Sequence, residues 1–155
     1  MSADKLQELV ELVDPVIQAM QDVSLEDPAA VRAELERQFP MADETVQNIR
    51  AAMTLGHEQG WLLTKAVGSM QFGRVAKDRS GFSVDAVLMS GPGPKHCHPN
   101  GEVDLMFVTG GDPRFDGHPE GWAVYAPGSV HVPEVTGGEM LILYLLPEGA
   151  IEWVQ

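Results

Sequence analysis

Apolar positions change their period once along this chain, near residue 60. Between residues 4 and 21, Leu6, Leu9, Val10, Leu12, Val13, Val16, Ile17 and Met20 recur at steps of three and four, the spacing of one helical face. Pro15 falls inside this stretch and is expected to bend the helix or split it after Val13. Ser24 is a candidate N-cap, and Asp27-Pro28 opens a second helix with proline near its first position. Val31, Leu35 and Phe39 give that helix its apolar side, and Pro40 ends it. A third helix follows Asp43, with Val46, Ile49, Met53 and Leu55 inward, and stops near Gly56. His57 then lies at a helix C-terminus, where the dipole favours a cationic imidazole.

From Trp61 the period becomes two. Runs at 61–66, 69–76, 82–89, 102–108, 122–126 and 139–146 are rich in β-branched, aromatic and aliphatic residues and are separated by Gly/Pro clusters. Many short strands with regular turns predict a sandwich or small barrel. Helices first and strands afterwards predict an α+β chain, one domain of 155 residues in which a helical segment (1–58) packs on an antiparallel β-barrel (59–155). Leu141–Leu146 is apolar on both faces and so reads as a central strand covered on both sides. The polar stretch Gly110–Gly121 reads as a rim or lid loop in which Asp112, Arg114, Asp116 and His118 satisfy one another and the turns.

Composition narrows the partners. A formal net charge of −13 argues against nucleic acid and anionic membranes, both of which need a basic face. No apolar run is long enough for a spanning helix. The acidic, polar N-terminus is unlike a signal peptide, and one cysteine excludes an intramolecular disulfide, so the expected compartment is the reducing cytoplasm.

Candidate chemistry lies between Gly91 and Glu134. In an extended strand His96 and His98 project to one side and Cys97 to the other, which makes Cys97 an outward, structural thiol. Pro99-Asn100-Gly101 is hairpin-turn chemistry, and Glu102 opens the returning strand close to both histidines. His131 follows a second turn at Pro127-Gly128 and arrives from another strand. Three imidazoles and a carboxylate suit a divalent first-row metal (iron, manganese or zinc) with positions left open. The competing reading is a set of turn histidines without metal. If Glu102 points inward, so do Asp104 and Met106, while Val103, Leu105 and Phe107 face the helices. Asp104 then either holds a ligand histidine or serves in acid–base chemistry. Arg74 is either an inward clamp for a substrate carboxylate or a surface arginine. Tyr125 either lines the cavity or packs.

The spacing H-x-H-x3-E at His96–Glu102, followed by P-G-x2-H at Pro127–His131, resembles the two motifs of the cupin superfamily. Gly91 lies one residue too close to His96, Gly110 one too far from Glu102, and Val135 replaces the final Asn of the second motif. None of these departures removes a ligand. Five further blocks sharpen the resemblance: F-G-R-V-A-K at Phe72–Lys77, G-F-S-V-D-A-V at Gly81–Val87, H-P-N-G-E at His98–Glu102, G-D-P-R-F-D-G-H-P at Gly111–Pro119, and H-V-P-E-V-T-G-G at His131–Gly138. Together they resemble the 4-hydroxylaminobenzoate lyase family of nitroaromatic degradation. That resemblance implies a cupin jelly roll and conversion of 4-hydroxylaminobenzoate to 3,4-dihydroxybenzoate with release of ammonia, without an organic cofactor. It implies a small aromatic carboxylate as substrate, for which the strand-face reading offers Glu102, Asp104 and His131 as candidate catalytic residues and Arg74 and Tyr125 as candidate substrate contacts. Another metal-dependent cupin enzyme, such as a dioxygenase or sugar isomerase, and a non-enzymatic ligand-binding barrel are the alternatives. A homodimer is expected on general grounds, since pairing hides exposed sheet edges.

Overall fold

The computed structural model describes residues 2–154. Helices α1 (Ser2–Ala19), α2 (Pro28–Gln38) and α3 (Glu44–Gln59) precede strands β1 (Lys65–Val67), β2 (Met70–Arg79), β3 (Phe82–Met89), β4 (His96–His98), β5 (Glu102–Phe115), β6 (Gly121–Tyr125), β7 (Ser129–His131), β8 (Val135–Pro147) and β9 (Glu152–Trp153). The strands form a six-stranded sheet in the order β1-β2-β3-β8-β5-β6 and a three-stranded sheet in the order β7-β4-β9. Every pairing is antiparallel. The outcome is the expected α+β cupin-like jelly roll, but with two sheets that do not close into one ring. The Pro99–Gly101 turn shows why. Both edges of β4 are taken by β7 and β9, so β5 cannot pair with it, and the turn carries the chain from the small sheet to the large one.

Strand β8 is central, between β3 and β5, and its alternating side chains serve two cores. Leu141, Leu143 and Leu145 join Val103, Leu105 and Phe107 of β5 and the buried faces of all three helices. Met140, Ile142 and Tyr144 point the other way and meet Met106, Val87 and Met89 on the inner face. The inward and outward sides expected for β5 are those observed. The helix layer is pinned at several points. Trp122 Nε1 donates to Phe39 O at the end of α2 (2.9 Å). Arg79 of β2 grips Asp14 of α1 with two hydrogen bonds, of 2.9 and 2.6 Å. No helix among the described residues is long and apolar enough to cross a membrane.

Several local expectations need correction. Helix α1 is not split after Val13 but continues through Pro15, which lies on the exposed side. Asp27, not Ser24, caps α2 by accepting from Ala30 N. Helix α3 passes Gly56 and ends at Gly60, whose φ of 82° is the left-handed cap. Gly56 is buried inside the helix because Trp61 folds back on it: an added Cβ would lie 2.8 Å from that ring. This return occupies residues 61–64, so the first predicted strand begins only at Lys65. Leu55 is exposed. The supposed lid loop is half strand, because β5 continues to Phe115 and pairs through bulges with the start of β8.

The Asp14–Arg79 grip makes a stability test. Arg79 holds the Asp14 carboxyl below its ordinary range. A depressed pKa contributes stability that is present above the unfolded value of 3.8 and lost as pH falls through the folded one. Asp14→Asn is expected to cost about 0.5–1 kcal/mol at pH 7. In paired thermal melts the gap between variant and wild type should narrow as pH falls below 3.8; a gap independent of pH would show that the ion pair is not its source.

Candidate active site and metal centre

The small sheet assembles three histidines. His96 and His98 of β4 are both buried, while Cys97 between them is half-buried on the opposite side. Strand β7 lies antiparallel to β4 with His131 opposite His96. The fourth member arrives through the turn: Gly101 has φ 89°, and a Cβ there would sit 2.7 Å from Tyr125 O. Only glycine gives this close approach at that angle, and it delivers Glu102 as the first residue of β5, wholly buried.

The potential ligand atoms of His96, His98, Glu102 and His131 all lie within 4.8 Å of one another. His98 Nε2 is 3.1 Å from His131 Nε2 and 3.0 Å from Glu102 Oε1. The second contact lacks hydrogen-bond alignment, and both Glu102 oxygens and His96 Nε2 are buried without a partner among the described residues. Outward nitrogens are fixed instead. His96 Nδ1 donates to Pro94 O (2.9 Å) and His131 Nδ1 to Asp116 Oδ2 (2.8 Å). Each bond leaves an Nε2 lone pair facing the cluster. Bare imidazole nitrogens and an unpartnered carboxylate converging on one point fit a divalent cation. His98 Nδ1 has no partner among the described residues.

Electrostatics support that fit. Burial keeps His96 below the usual imidazole pKa, hence neutral and able to ligate. Burial opposes ionisation of Glu102, but His98 and the neighbouring Asp104 offset it, and the group stays below its ordinary range. Asp104 is pushed well above its own, first by burial and then by the Glu102 charge. Within the pair, ionisation is thus favoured at Glu102 and disfavoured at Asp104.

Asp116 belongs to the centre, contrary to its expected role in satisfying the loop. Its side chain accepts from His131 Nδ1, from the Tyr125 hydroxyl (2.7 Å) and from Glu134 N (2.9 Å). Burial opposes its charge, but these three donors hold it below the ordinary carboxylate range. The aspartate that holds a candidate ligand histidine is thus Asp116. Tyr125 packs its ring 4.4 Å from that of His131. Arg114 pairs with Asp112 as expected, and His118 stays in its turn, its backbone bonded to Phe115, outside the cluster.

A cavity of about 220 Å3 opens beside the cluster and reaches it at His96. Phe72, Val87 and Tyr144 lie on its wall, with Trp153 and Arg74 at exposed positions. Neither Asp104 nor Tyr125 lines it. Arg74 does, but its Nε is bonded to Asp85 Oδ1 (2.7 Å), a partner the sequence reading overlooked. Tyr144 was overlooked too, hidden in an apolar run. The signal for Asp116 was faint: an Asp-Gly pair, with Asp116 at φ 48°.

Helices packed on two antiparallel sheets that enclose a three-histidine, one-glutamate cluster define a cupin-like protein. Residues 11–153 match the family model described as PnbB: 4-hydroxylaminobenzoate lyase. The chain belongs to that family and is an enzyme of the lyase type. The 4-hydroxylaminobenzoate lyase of Pseudomonas putida is 27% identical over 142 residues, covering 77% of this chain and 80% of its own. That of Nocardioides sp. (strain LMS-CY) is 27% identical over 124 residues, covering 71% and 73%. Among solved structures, one from a study of the DMSP lyases RdDddP and RnDddQII aligns over 100% of both chains with TM-score 0.51 and 16% identity, a likeness of fold.

If Asp116 aims His131, Asp116→Ala should weaken divalent-metal affinity about 10–100-fold in a chelator competition titration. Cys97→Ser, altering only the outer side of β4, should leave that affinity unchanged. Equal affinities for Asp116→Ala and wild type would remove Asp116 from the centre.

Proposed function

We propose that this chain converts 4-hydroxylaminobenzoate to 3,4-dihydroxybenzoate and ammonia. The family match over residues 11–153 carries the reading, and the geometry supports it. In the overall conversion the N–O and C–N bonds break, water adds, and one catechol acid and one ammonia leave. Atoms and electrons balance without an external oxidant.

The apolar cavity wall suits one aromatic ring. At its open end the terminal guanidinium nitrogens of Arg74 have no hydrogen-bond partner among the described residues and offer a site for the para carboxylate. In a chain of net charge −13 such a local cation matters, because the wider field repels anions. The hydroxylamine end then lies toward His96. A divalent ion held by His96, His98, Glu102 and His131 would supply Lewis acidity there. His131, held by Asp116, presents a fixed nitrogen to that centre. Asp104 lies outside the cavity lining, next to Glu102 on the same strand face, and stores a proton that the carboxylate pair can give up and retake.

Incubation with 4-hydroxylaminobenzoate should yield equal amounts of ammonia and a catechol, without added organic cofactor. Asp104→Asn should lower kcat by roughly 100-fold with metal retained, and Arg74→Ala should raise KM about 10-fold with little change in kcat. Stopped assays for ammonia and catechol check all three. No ammonia from the wild type, or unchanged rates in both variants, would remove the proposal.

A further inference from the structure

A polar row crosses the inner face of the large sheet. Cross-strand register places Arg74 opposite Asp85, Asp85 opposite Tyr144, and Tyr144 opposite Asp104, on β2, β3, β8 and β5. Directly opposed residues project to the same face, so the row runs from the exposed Arg74 to the fully buried Asp104. Tyr144 stands between the cavity and Asp104. It lines the cavity, whereas Asp104 does not.

The Tyr144 hydroxyl is buried and has no hydrogen-bond partner among the described residues. A phenylalanine would fill the same space and spare the cost of an unsatisfied hydroxyl. The partner is therefore to be sought in whatever fills the cavity. The other polar side chains on the cavity wall have other roles in this reading: Asp85 accepts from Arg74 Nε, the remaining Arg74 nitrogens face the carboxylate end, His96 Nε2 belongs to the candidate metal cluster, and Trp153 is largely exposed. Burial also raises the phenol well above its ordinary pKa, which keeps the O–H as a donor.

We propose that Tyr144 is the specificity-determining residue of this site, donating a hydrogen bond to the oxygen of the substrate's N–O group and so selecting arylhydroxylamines over arylamines. The inference rests on the lyase reading of the same site. An amine of the same shape has no oxygen to accept the bond and leaves the phenol unpaired, the kind of mismatch that discriminates strongly between near-isosteric ligands. The apolar walls and Arg74 serve both ligands alike, whereas the Tyr144 hydroxyl brings an unpartnered donor to that oxygen.

The test compares wild type and Tyr144→Phe on two ligands: turnover of 4-hydroxylaminobenzoate, and competitive inhibition by 4-aminobenzoate. The substitution should lower kcat/KM for the hydroxylamine about 10–100-fold while inhibition by the amine stays the same or tightens. Equal losses for both ligands, or no loss for either, would overturn the proposal. The variant should melt at or above the wild-type temperature, because it loses an unpartnered buried hydroxyl; a lower melting temperature would reveal an internal partner and also overturn it. Wild-type turnover in the same assay separates the two readings. An active wild type with an indifferent Tyr144→Phe defeats only the role of Tyr144, whereas an inactive wild type defeats the lyase reading and this inference with it.

Discussion

A carboxylate wholly removed from water must be compensated, and the Glu102 carboxylate is the constraint around which this molecule is arranged. Among the described residues, no lysine or arginine contacts it. The groups that do are the imidazoles of His98 and His131, with Asp104 beside it. The imidazole nitrogens that face it and the carboxylate itself form a donor set that could hold a divalent cation. The nearby fixtures follow from that need. Pro94 O and Asp116 take up the outward nitrogens of His96 and His131, Gly101 brings Glu102 within reach, and burial beside Glu102 disfavours a second charge on Asp104.

The sheets make such a site tolerable. Because β8 divides its side chains between two cores, the helices can seal the outer face with leucine and valine while the inner face carries carboxylates and a phenol. Stability and chemistry thereby occupy opposite sides of the same strands. The cavity then meets the cluster at one histidine, leaving Glu102, His98 and Asp104 out of contact with solvent.

Much of this was legible in the chain because it depends on short-range rules. Alternation puts His96 and His98 together, a Gly-containing turn brings back Glu102, and the period of two sorts Asp104 and Met106 from Leu105 and Phe107. What stayed hidden depends on pairing between distant strands. That Asp116 would bond His131 follows from β5 running on past Gly110 to pair with β8. That Arg74 would meet Asp85 follows from the β2–β3 register. Tyr144 reads as one more residue of an apolar strand until the cavity is located beside it. Pro15 and Gly56 misled for a related reason: each breaks a helix in isolation, but here solvent on one side and Trp61 on the other make them compatible with it.

The central claim is that His96, His98, Glu102 and His131 form one metal centre. Elemental analysis of protein purified without chelator tests it most directly, with His96→Ala, checked for folding by circular dichroism, as the control. The account predicts about one divalent first-row ion per wild-type chain and nearly none in the folded variant. A wild-type protein that is folded, active and essentially free of metal would contradict it.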